Sequence, residues 1–164
     1  MYLPKLPPSE EGFTLFEVLV SILIVTIFLT IAMQALLLAT VFKVRTEQRN
    51  EAATWIQKDL ENIKNQAKEY EKNTFPYSVK CGAATSSDGF AAGFLSSIGG
   101  TPTTDGPRTL GGRNFTLNRT ADYATSSDPF KLLKLEYSVS SQDGGSPIAT
   151  LSTEVIPDAS LKCP

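Results

Sequence analysis

FTLFEVLVSILIVTIFLTIAMQALLLATVF, residues 13–42, is a run of 30 positions with one charged side chain, Glu17. As a helix it would be about 45 Å long, more than the roughly 30 Å of a hydrocarbon core. A cleaved secretory signal has an apolar core of only about 7–15 residues. A buried helix of a soluble core is seldom this long and apolar on every side. The stretch therefore reads as a membrane-spanning helix, and the rest of the chain is ordered around it.

Beyond it, Lys43 to Lys72 turns polar without a Gly or Pro. Ala52, Ile56, Leu60, Ile63, Ala67 and Tyr70 recur at spacings of three and four, one apolar stripe on a helix. Nothing from Phe13 to Lys72 forces a break, so the spacing predicts a single helix of about 60 residues. Its first half would lie in a bilayer and its second half on a globular domain, with Trp55 packed beneath a sheet beside Ile56 and Leu60.

Eight of the eleven glycines fall between Gly82 and Gly112, so residues 74–128 read as a glycine-rich loop with a helical turn near Phe90–Ile98. Asn114–Thr120 reads as a short first strand. Lys131–Ser141 is a clearer one, since Leu133, Leu135, Tyr137 and Val139 alternate with polar residues. The turn Asp143-Gly144-Gly145-Ser146-Pro147 leads to Ile148–Ile156, giving a hairpin over residues 131–156. Asp143 with its glycines has oxygens enough for Ca²⁺, but a hairpin turn uses the same residues without metal, and the turn is the reading taken. The fold class is α+β: a long N-terminal helix, half transmembrane and half amphipathic, on a small antiparallel sheet. In an oxidising compartment Cys81 and Cys163 would close a loop of about 80 residues by a disulfide.

Composition excludes several functions. Fifteen Lys and Arg against seventeen Asp and Glu provide no basic field for nucleic acid. With no histidine, the usual proton shuttle and the commonest metal ligand are both missing. No nucleophile–base constellation appears, so no enzyme, cofactor or metal site is expected.

Glu17 is the anomaly. A carboxylate in hydrocarbon costs roughly 2.5–3.5 kcal/mol on insertion scales, and its default reading is functional. Near a helix start the dipole also tolerates an anion. The surrounding Gly12-Phe13-Thr14-Leu15-Phe16-Glu17-Val18-Leu19-Val20-Ser21-Ile22 resembles the processing site of type IV prepilins and type II secretion pseudopilins. The resemblance implies that residues 1–12 are a leader, that a prepilin peptidase cuts between Gly12 and Phe13, and that Phe13 becomes N-methylated. It implies that Glu17 pairs with the terminal amine of a neighbouring subunit, which supplies the cation that a buried carboxylate needs. It implies residues 43–164 as an extracytoplasmic pilin-like domain, and it covers Gly12 to about Phe42.

The implied partners are other pilin subunits, the peptidase, and an assembly platform with its ATPase. The implied location is the inner membrane as a single-pass protein, then a surface pilus or a periplasmic pseudopilus. The apolar run has no mid-segment proline, which is similar to minor rather than major subunits. The acidic, proline-containing leader is similar to that of cyanobacterial members. Adhesion, motility and DNA uptake all fit such a filament. A pseudopilin is the alternative, and a membrane-anchored binding protein that never polymerises is a further one. Lys5 alone precedes the apolar run, whereas Lys43, Arg45 and Arg49 follow it, a distribution that by the positive-inside rule favours the reverse orientation. The cysteine pair, the motif and the short leader outweigh it.

Overall fold

The computed structural model describes residues 14–123 and 131–164. The chain forms two compact units, residues 1–43 and 44–164. Helix α1, Leu15–Glu69, contributes to both as one uninterrupted element of 55 residues. It starts and stops within a few residues of the span expected from the sequence. Helix α2 is Phe90–Ser97, and the strands are β1 Thr103–Leu110, β2 Arg113–Asp122, β3 Leu133–Ser141 and β4 Ala149–Val155. The elements confirm an α+β chain with a long N-terminal helix and a small antiparallel sheet.

In the first unit the apolar side chains of α1 are exposed from Leu15 to Phe42, and the helix is long and apolar enough to cross a membrane. Its hydroxyls are satisfied on the helix's own backbone: Ser21 donates to the Glu17 carbonyl, Thr26 to Leu23, Thr30 to Thr26 and Thr40 to Leu37. That arrangement leaves no hydroxyl hydrogen asking for water in an apolar solvent.

The second unit is a meander in the order β1-β2-β3-β4, antiparallel throughout. Its core is a single cluster. Ala52, Trp55, Ile56, Ile63 and Ala67 of α1 meet Phe115 and Leu117 of β2, Leu133, Leu135, Tyr137 and Val139 of β3, and Phe94 and Leu95 of α2. The stripe read from the sequence is thus the buried face, with Leu60 and Tyr70 packed at its margin. Alternation does the same for β3, whose four apolar residues all point inward.

The glycine-rich stretch is where expectation and structure part. The expected helical turn near Phe90–Ile98 is α2 and the expected short strand Asn114–Thr120 lies within β2, but the part read as loop also holds all of β1, while 124–128 lie outside the described residues. Strand β1 escaped notice because it is an edge strand, exposed at six of its eight positions and carrying no apolar alternation. Its pairing is interrupted by a bulge between Asp105 and Arg108, where Gly106-Pro107 sits, a tolerated place for proline in a sheet. The β1–β2 turn is Gly111-Gly112, with φ of 51° and 83° between the paired Leu110 and Arg113. Two consecutive positive φ values define the two-residue hairpin that only glycine enters freely. The hairpin over residues 131–156 is present as β3 and β4, joined through a turn in which Gly144 donates to the Ser141 carbonyl.

Cys81 and Cys163 are joined, across a sequence separation of 82. Lys162 Nζ also donates to the Lys72 carbonyl at 2.8 Å, so the chain's last turn is tied at two points, Lys72 and Cys81, to the segment that follows α1.

Candidate functional site

Thr14 precedes the first residue of α1, and its carbonyl accepts the first helical hydrogen bond, from Val18 N–H. Its side chain accepts from the backbone N–H of Glu17 at 3.3 Å. Thr14 is therefore the N-cap and Glu17 the third helical residue, the Thr-x-x-Glu arrangement of a capping box. A carboxylate here lies in the positive end of the helix dipole, within the only turn of an apolar helix that welcomes one. The spacing was visible in the sequence, but the cap was not read from it; Thr14 is the residue that reading missed.

Around the carboxylate the surface is apolar. Leu15, Val18, Leu19 and Ile22 line a shallow depression one face round from Glu17, and Leu15 and Phe16 are strongly exposed. The first turn is thus an anion set in a surface that has no favourable home in water. A cation delivered with further apolar surface, as by a second helix start, complements both properties. Gly12 and Phe13, the expected cleavage and methylation positions, lie outside the described residues, as does the leader.

The second unit has polar clusters of its own. Trp55 Nε1 donates to Asp105 Oδ2 at 3.1 Å, and the Arg108 guanidinium lies 5.6 Å from the Trp55 ring centre. A groove of about 610 Å³ opens there between α1 and the β1 bulge. Arg119 is 8% exposed; it bonds Asp59 Oδ2 at 2.9 Å through Nη1 and the Ile98 carbonyl at 3.2 Å through Nη2. It therefore serves as ion partner to α1 and as cation at the C-terminal end of α2. Burial, reinforced by the Asp59 carboxylate, pushes the neighbouring Tyr137 phenol well above its ordinary range. At the end of α1, Lys80 Nζ contacts Glu71 Oε1 beside Tyr70. Burial alone would raise the Glu71 carboxyl, but hydrogen bonds from Lys80 and Ser78 prevail and hold it below its usual value. Each of these clusters joins separate parts of the fold.

Residues 8–33 match the family model of the prokaryotic N-terminal methylation motif. That motif is typical of type IV pilin and pseudopilin precursors. No curated protein and no solved structure matches the chain. Motif and apolar helix together are those of a chain anchored in a membrane before assembly.

Proposed function

We propose that this chain, which carries the methylation motif of pilin and pseudopilin precursors, is a structural subunit of a type IV pilus, a minor one, serving adhesion, motility or DNA uptake. A pseudopilus of a type II secretion system is the neighbouring assignment within the same mechanism. The observation that carries the reading is the motif at residues 8–33, which runs into an apolar helix whose large side chains are exposed from Leu15 to Phe42.

In this reading a prepilin peptidase removes residues 1–12 and Phe13 is methylated, while the helix waits in the inner membrane. An assembly platform and its ATPase then draw the subunit out of the bilayer. Apolar area that leaves lipid is regained against the helices of neighbouring subunits, so extraction need not expose it to water. The Glu17 carboxylate meets the terminal ammonium of a neighbour, which fixes the axial register of helix on helix. The chain has no catalytic role and uses no cofactor in this scheme, and its second unit faces outward.

Intact mass and N-terminal sequencing of the protein recovered from its native membrane provide the test. A start at methylated Phe13 is expected. A start at Met1 would overturn the reading and leave a membrane-anchored binding protein that does not polymerise.

A further inference from the structure

Arg45, Arg49, Ala52, Ile56, Asp59 and Ile63 follow one another along α1 at spacings of four and three, so they share one face of the helix. Where the sheet covers that face, Ala52, Ile56 and Ile63 are buried and Asp59 pairs with Arg119. At 45 and 49 the same face carries exposed arginines instead. Glu47 and Glu51 lie roughly 120–160° round the helix from them, at about 100° per residue. Opposite charges are therefore separated by face rather than neutralised in place.

The fold adds a third cation. Gln48 Nε2 donates to the carbonyls of Leu110 and Gly111, each at 3.4 Å, which seats the β1–β2 turn on this part of α1. Arg113, exposed, is the first residue after that turn and the strand partner of Leu110. The salt bridges among the described residues use Lys72, Lys80, Arg119 and Lys134, and leave these three arginines out.

Arg45 and Arg49 follow Phe42, the last residue of the apolar run, by three and seven positions. A headgroup layer is about 5–8 Å deep on each side of the hydrocarbon, and a long side chain can reach back into it. Guanidinium groups match phosphate oxygens in geometry as well as in charge. We propose that Arg45, Arg49 and Arg113 form a binding surface for the phosphate headgroups of anionic phospholipids at the Phe42 end of the apolar run. The cations that run against the positive-inside distribution have their use there. They hold the second unit to the lipid surface while the helix is inserted. The inference rests on a membrane-inserted α1 and does not require polymerisation.

The test uses the full chain in nanodiscs of equal phosphatidylglycerol and phosphatidylcholine, released into native mass spectrometry so that retained lipids are counted. The protein should retain phosphatidylglycerol preferentially. Each arginine is worth about fivefold in that preference. Arg113→Gln alone, off the helix, should lose about that much, and the triple variant R45Q/R49Q/R113Q should lose it entirely, with Trp55 emission reporting the intact core. Lys134→Gln, on the sheet, should leave it unchanged. Equal retention of the two lipids, an unaltered preference in the triple variant, or an equal loss in Lys134→Gln would each overturn the proposal. So would displacement by millimolar inorganic phosphate, which would indicate an isolated anion site. A chain that starts at Met1 would sink the subunit reading and leave this readout standing.

Discussion

At the scale of single residues, Glu17 carries two separable roles. Its backbone N–H donates to the Thr14 cap, and its carboxylate lies at the positive end of the helix dipole, where the proposed assembly supplies a cation. Glutamine keeps the backbone cap but not the charge. Glu17→Gln should therefore leave the protein inserted and processed yet deplete it severalfold from sheared filaments, as read by immunoblot of filament and membrane fractions. Normal incorporation would exclude pairing with a neighbour's amine as the use of the charge. Glu71 and Lys80 offer a second test. The Glu71 carboxyl sits below its ordinary 4.5, so its contribution to stability is complete above that pH and fades as pH falls through the lower folded value. The hydrogen bond that Lys80 donates to Glu71 leads in raising the Lys80 ammonium above 10.5, so its share is complete below that pH and fades in strong alkali. The gap in denaturation midpoint between the native protein and Glu71→Gln should be open at neutral pH and should narrow as the pH falls below 4.5. An unchanged gap would exclude the ion pair as its source.

Among elements, the β1–β2 hairpin is the one most dependent on particular backbone conformations. Gly112 has φ of 83° and open space around the position of a Cβ, so Gly112→Ala measures backbone strain alone, about 1 kcal/mol. A Cβ on Gly111 would meet Gln48 Cγ at 2.7 Å, so Gly111→Ala adds a clash at the contact that seats the turn on α1. Its cost should be larger, about 2 kcal/mol, on the scale of strain plus overpacking. Denaturant unfolding of both variants checks the order, and equal losses would mean that Gln48 simply moves aside. The hairpin also shows why part of the fold was hard to read. Strand β1 pairs through its backbone while showing almost nothing apolar, and its Gly106-Pro107 bulge looks locally like a loop. The Gly111-Gly112 pair between Leu110 and Arg113 was the one available sign of a two-residue turn.

For the whole molecule, the Cys81–Cys163 bond closes the part of the second unit that follows α1 into a loop. A closure of 82 residues should stabilise by about 4–5 kcal/mol on the chain-entropy account, a large share of what a small domain has. Reduction, or Cys81→Ser, should lower the denaturation midpoint of that unit accordingly, and the helical signal of the apolar segment should persist. A midpoint unchanged by reductant would show that the core alone holds the unit. The first unit is stable on other terms: its backbone is satisfied internally, and its side chains favour lipid or other helices over water.

Two properties were legible in the amino-acid order because they are local and periodic. The apolar run from Phe13 to Phe42 and the stripe from Ala52 to Tyr70 specify one helix in two solvents. Glu17 at its fixed distance from Gly12 belongs to the stretch that matches the N-terminal methylation motif. The alternation of β3 and the pair of cysteines belong to the same class. Tertiary structure alone decided what depends on distant partners. Strand β1 exists through hydrogen bonds to β2, Arg119 is tolerated in the interior through Asp59 and the Ile98 carbonyl, and the turn that precedes Arg113 is seated on α1 through Gln48. Periodicity records which face of an element is covered, but not which residue across the fold covers it.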